Sequence, residues 1–321
     1  MKPVHYTIRK TKTSLIWVLF LVFAVPAWSQ TPINQDTLDG AYSDFSSAVA
    51  NALPTAATLG HGWSDSYIGT LFADPPHLGV AVSLGATLFP YPAFASVFSD
   101  LGVAASLPDE ITAFADGLGI PMPAYTVEVR VGGILLPFDV GMKAGALDRE
   151  LARGVAPDSA VEAEYLVFGG DLRFAVVEET DTLPDVTIGA GYNFARGSFF
   201  VPGLFPSGVT VGGDSYDNPD VVFRWVADTI DLEARLSKRL LIFSPYLGVG
   251  GAVTFGRVGG GLAASGSSVD GAFADYEVTG GQVHVLGGFS VDIAVISIDL
   301  GIQYNLIGGA LNGVAGIRFQ M

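Results

Sequence analysis

The 321-residue chain carries 32 Asp and Glu against 16 Lys and Arg, has no cysteine, and is only 15% charged, with 41 glycines and a mean hydropathy of +0.45. The acidic excess excludes nucleic acid as a partner, because phosphate contacts need clustered Lys and Arg. The lack of cysteine excludes disulfides and a lipidated thiol. Water-soluble domains usually carry about 25% charged residues, so part of this surface is expected to face something other than water.

Lys2, Arg9, Lys10 and Lys12 precede an apolar run of 12 residues, "SLIWVLFLVFAV", which Pro26 ends. Ala27 and Ser29 supply the small residues of a signal-peptidase site. The run is shorter than the about 20 residues of a spanning helix, so export with cleavage after Ser29 is expected rather than a retained anchor. Removing four of the 16 basic residues leaves 12 against 32 acidic ones, a net charge of −20. Residues 1–29 are therefore read as a signal peptide, 30–77 as an N-terminal periplasmic or plug segment, and 78–321 as the folded body.

In 36–53, Leu38, Tyr42, Phe45, Val49 and Leu53 recur at helical spacing. Two further short helices are expected at 92–106 and 108–119, each begun by a proline, within a long loop that caps the body from outside or folds into it. Capping from outside is the commoner behaviour of loops. From Leu78 onward the period becomes two. Tyr125, Val127, Val129 and Val131 share one strand face, and Thr126, Glu128 and Arg130 the other. The same division puts Leu172 and Phe174 opposite Asp171 and Arg173, Leu232 and Leu236 opposite Glu233 and Arg235, Val283 and Val285 opposite His284 and Asp292, and Ile298 and Leu300 opposite Asp299.

Alternation alone fits either a soluble sandwich with its valines inside or a membrane barrel with its valines in lipid and its charges in a lumen. Segment length favours the barrel. Stretches such as 246–255 and 282–293 match the about 9–11 residues of a tilted membrane strand, whereas soluble strands average about 5–6. Link lengths agree. Links at 133–137, 178–184, 237–240 and 294–297 are short, and those at 91–123, 147–161, 196–220 and 257–272 are long. The expected fold is an all-β, transmembrane, antiparallel up-and-down β-barrel of about ten strands, with 8, 12 or 14 allowed by ambiguity at 63–72 and 91–123. Both termini then lie in the periplasm.

The chain ends in "LNGVAGIRFQM", with Leu311, Ile317 and Phe319 on one face and Asn312 and Arg318 on the other. Here the sequence resembles bacterial outer-membrane β-barrel proteins, over roughly residues 78–321. The resemblance implies a cell outer-membrane location in contact with the lipid bilayer, and an aromatic-terminated last strand read by the barrel-assembly machinery.

The candidate lumen-lining residues are Glu128, Arg130, Asp139, Lys143, Asp171, Arg173, Glu233, Arg235, His284, Asp292, Asp299 and Arg318. Buried charges are tolerable only when paired, so these groups either pack a narrow barrel shut or form a constriction that selects small solutes. No cofactor or metal is called for. His61, His77 and His284 lack Cys or Ser partners placed for catalysis, and no enzyme activity is expected. "GGDSYDNPD" (212–220) gathers oxygen ligands without the spacing of a calcium loop, and Gly248 and Gly250 lie in a strand rather than a dinucleotide turn. The leading expectation is a small-solute, porin-like channel. The alternatives are a closed structural or surface-interaction barrel, or a plugged carrier of hydrophobic molecules with Phe199 and Phe200 on its receiving surface.

Overall fold

A computed structural model describes residues 33–60, 63–68, 77–101, 119–133, 137–149, 162–264 apart from 203 and 206, and 271–321. The expected signal peptide lies outside the described residues, as do most of the second loop helix and His61.

Ten antiparallel strands close into a barrel: β1 (His77–Phe89), β2 (Ile120–Gly132), β3 (Phe138–Leu147), β4 (Glu162–Val177), β5 (Asp185–Val201), β8 (Asp220–Ser237), β9 (Phe243–Ala263), β10 (Gly271–Ile293), β11 (Ile296–Asn305) and β12 (Leu311–Gln320). A two-stranded hairpin, β6 (Val209–Val211) and β7 (Asp214–Tyr216), stands in the link between β5 and β8. It occupies the stretch that held the possible calcium ligands. Gly212 and Gly213 take positive φ at its turn, as a tight hairpin requires, and Asp214 and Asp217 point to solvent. The barrel closes where Val80 pairs with Phe319.

The wall has two heights. β1, β2, β3, β11 and β12 run 10–13 residues, whereas β4, β5, β8, β9 and β10 run 16–23 and rise further at the long-loop end. Links expected to begin near Arg196 and Arg257 are therefore shorter than the sequence reading gave, because both strands continue past those arginines.

Register decides which face is outside. Residues directly opposed across a ladder point the same way, so Val127, Met142, Leu172, Ile188, Leu232, Val249, Val285, Ile302, Ile317 and Val82 all face outward. They are exposed, reaching 70% at Met142 and 63% at Leu232 and Ile302. A continuous apolar belt of this extent has no counterpart on water-soluble monomers, whose patches reach a few hundred Å². Outward Tyr125, Tyr192 and Tyr304 mark its long-loop edge, and Phe174, Phe243, Phe289 and Phe319 its short-turn edge. Aromatic girdles of this kind lie at the two boundaries of a bilayer. Cysteine at Val127 or Val285 is accordingly expected to react with lipid-dissolved thiol probes and not with aqueous ones; aqueous labelling at both would contradict the outward assignment.

Inside the taller half lies an apolar core. α1 (Gln35–Val49) is capped by Asn34, whose side chain accepts from the Thr37 N–H at 2.6 Å, and it buries Leu38, Tyr42, Phe45 and Val49. The expected helix to Leu53 is interrupted, since Pro54 has no N–H to continue the ladder and its ring crowds the preceding turn. The chain restarts as α2 (Leu53–Ala57). α3 (Tyr91–Asp100) packs on α1 rather than covering the barrel from outside, because Phe94, Val97 and Phe98 need an apolar partner. The rings of Phe45 and Phe94 meet Phe223 of β8 at 4.9 and 5.1 Å.

Candidate functional site

The lumen is occupied by the segment that precedes β1. Its start is at the long-loop end, where Ile33 bridges to Val211 of the β6–β7 hairpin. From there the segment descends. Thr55 donates to Gln282 at 2.8 Å, Tyr165 to the Ala56 carbonyl at 3.3 Å, and Lys143 to the Ala57 and Leu59 carbonyls at 2.9 and 2.6 Å. At the floor, Ser66 meets Ser237 at 2.6 Å and the Ile68 N–H donates to Asp139 at 3.0 Å.

Residues 63–68 form no helix or strand, so their backbone groups need partners from the wall. Arginines supply them. Arg235 donates to the Trp63 carbonyl at 2.8 Å, and Arg173 to the Asp65 carbonyl at 2.9 Å. The Trp63 indole makes cation–π contacts with two guanidiniums, those of Arg130 at 5.5 Å and Arg318 at 5.0 Å. It reaches the wall because position 79 is glycine. A Cβ there would come within 2.4 Å of the indole.

Twelve sequence candidates face the lumen, and they fall into connected groups. Asp139 accepts both oxygens' worth of donors from Arg173, at 2.8 and 2.7 Å, and a third from Arg130 at 2.5 Å. Arg130 also donates to Asp171 at 2.7 Å. Arg318, fully buried, joins Asp65 of the plug at 2.7 Å to Asp299 at 3.2 Å and Asp292 at 3.7 Å. Arg235 pairs with Glu233, whose other oxygen is 3.7 Å from His284. Glu128 lies directly across from Lys143. Of the three acid–base pairs spaced two apart in sequence, only Glu233 and Arg235 bond each other. Arg173 pairs with Asp139, directly opposed on β3, and Arg130 reaches Asp171 because Gly141 leaves a gap between them: a Cβ there would come within 2.4 Å of Arg130 and 2.6 Å of Asp171.

Trp63, Ser64, Asp65 and Ser66 carry no periodic signal and were not among the candidates, yet each contacts the wall's polar lining. Phe199 is buried in the apolar core of the lumen, whereas Phe200, on the outward face, is buried in a small cluster with Val222, Ala263 and Phe273, so the two do not share one receiving surface. Among the described residues no group of three His, Cys, Asp or Glu converges as a metal site.

No family model and no curated protein matches the chain. Solved structures similar to it are bacterial outer-membrane barrels. The translocator domain of the autotransporter NalP from Neisseria meningitidis is 6% identical with a TM-score of 0.39, over 78% of this chain and 90% of that one. The outer-membrane protease OmpT from Escherichia coli is 10% identical with a TM-score of 0.40, over 80% of this chain and 100% of that one. The toluene transporter TbuX from Ralstonia pickettii is 12% identical with a TM-score of 0.27, over 83% and 93%. This chain is a closed ten-stranded antiparallel β-barrel whose outward apolar belt is that of a transmembrane barrel. The overlap with these barrels is too loose to carry any residue role across, so the activity rests on this lumen's own geometry.

Proposed function

We propose that this protein is an outer-membrane barrel held shut by its own N-terminal segment, acting as a closed structural or surface-interaction barrel in its resting state. The observation that supports this reading is the filling of the lumen from α1 at the long-loop end to Ile68 at the floor. Among the described residues, cavities beside Trp63, Arg130 and Asp171, and beside Thr58 and Gln303, are about 20 Å³ each, room for about one water.

In this reading the twelve lumen groups serve first to hold the plug, and they line a solute path only in a state from which the plug has withdrawn. The chain reaches the outer membrane after removal of residues 1–29, and its last strand, with Phe319 facing outward, is what the assembly machinery reads. Planar-bilayer recording on refolded wild-type protein, with a heat-modifiable gel band to confirm folding, tests the proposal. The expected record is flat. Discrete, stable current steps from the folded wild type would overturn the closed state and restore the small-solute channel.

A further inference from the structure

Among the described residues five arginines and lysines point into the lumen, but three others gather on the outside of the taller wall. Arg196 of β5 and Arg257 of β9 are both opposed to Val226 of β8, so they share one level and one outward face. Two strand spacings of about 4.8 Å separate them, roughly 10 Å in all. Arg224 lies on the intervening strand, one outward position higher. The three line a cavity of about 560 Å³ that also touches Tyr125, Glu164 and Asp275.

The nearby acids are accounted for one by one. Asp275 is gripped by Arg224, with Nε to Oδ1 at 2.9 Å, and Glu164 by Arg149 at 2.9 Å. Asp228, one step toward the belt, accepts from the Tyr192 hydroxyl at 2.5 Å. Asp148 lines the same cavity. Glu277 opposes Arg257 across β10 but makes no ion pair with it. Among the described residues Arg196 and Arg257 have no ion-pair partner, and both are exposed. Directly below them the outward residues become Phe194, Ile230, Val253 and Phe255, the top of the apolar belt.

Two unpaired guanidiniums at the upper edge of a lipid-facing wall, on a chain that is otherwise strongly acidic, match one kind of ligand. We infer that this face binds the phosphorylated headgroup of an outer-leaflet lipid, with phosphate between Arg196 and Arg257 and acyl chains along Phe194 and Phe255. Guanidiniums fork onto phosphate oxygens in a bidentate manner, which an ammonium cannot do. The apolar neighbours add the burial that a free anion lacks. The inference rests on the membrane-spanning wall and is independent of whether the lumen conducts.

The test is lipid retention by native mass spectrometry, on barrel folded in neutral detergent and given diphosphoryl lipid A, the same lipid after phosphatase treatment, or inorganic phosphate. Wild type is expected to retain the diphosphorylated lipid at least tenfold more tightly than the dephosphorylated one, and the R196Q/R257Q variant to lose that preference. A K238Q/R239Q variant, altered at the opposite end, should keep it. Equal retention by wild type and R196Q/R257Q, both showing a heat-modifiable band, would overturn the inference. Displacement of the lipid by millimolar inorganic phosphate would also overturn it, by showing a site for the free anion.

Discussion

Asp139→Ala is expected to lower the stability of the folded barrel by about 3–5 kcal/mol, the range for removing one partner of a buried ion pair. Asp139 is fully buried and is the shared anion of Arg130 and Arg173, besides accepting from the Ile68 N–H of the plug. Its removal leaves two guanidiniums inside a closed barrel with Asp171, the Asp65 carbonyl and the Trp63 ring as their remaining contacts. The cost comes from the uncompensated cations rather than from the lost bonds, because a paired buried charge contributes little net stability. Asp139→Asn should cost less, since it keeps one acceptor oxygen while losing the charge. Urea unfolding followed by the heat-modifiable band measures both variants. A loss of under about 1 kcal/mol for Asp139→Ala, the size of a surface pair, would show that water already reaches this group.

The second large effect is expected at Arg318. Its side chain holds Asp65 of the plug and Asp292 and Asp299 of the wall, and it stacks on Trp63. Arg318→Ala removes the buried cation that Asp65, Asp292 and Asp299 share and leaves only the exposed Arg239, 3.5 Å from Asp65, beside them, and like charges at this range repel. The simplest relief is withdrawal of residues 63–68, since the wall carboxylates are fixed by their strands and the plug segment is not. Arg318→Ala should therefore destabilise the barrel by about 3–5 kcal/mol and bring discrete current steps to a protein that is silent as wild type. Arg318→Lys restores charge without the fork, and an intermediate frequency of steps is expected from it. A folded Arg318→Ala barrel that stays silent would assign the seal to the apolar packing of α1 and α3 alone.

How much of this was legible in the sequence depends on whether the signal is local. The face of every barrel strand follows from period two, which is why Val127, Leu232 and Val285 could be sent outward and Glu128, Glu233 and His284 inward from residues alone. Partner choice is not local. Arg130 chooses Asp139 and Asp171 over Glu128 because register places β3 and β4 beside it and Gly141 opens the gap, and neither is written in "YTVEVRV". The apolar upper lumen had a trace in "VVFRWV", whose inward positions Val221, Phe223 and Trp225 are all apolar where a strand facing a wet lumen would carry polar residues. The plug floor had none. Six irregular residues held by side chains from six strands have no period, and Trp63 and Asp65 gain meaning only from the arginines that surround them.

The central claim is that residues 63–68 occupy the lumen, and a cross-link tests it most directly. Ser66 and Ser237 are 2.6 Å apart at their hydroxyls, both buried, and the chain contains no cysteine of its own. A Ser66→Cys, Ser237→Cys double variant brings two thiols within the reach of a disulfide, and the bond should form in the membrane-inserted protein, retarding or advancing the unfolded band until reductant is added. Ser66→Cys with Leu236→Cys, whose second thiol faces lipid, should remain unlinked. A folded barrel in which Cys at 66 and 237 stay free would contradict the account and leave the lumen open to solutes.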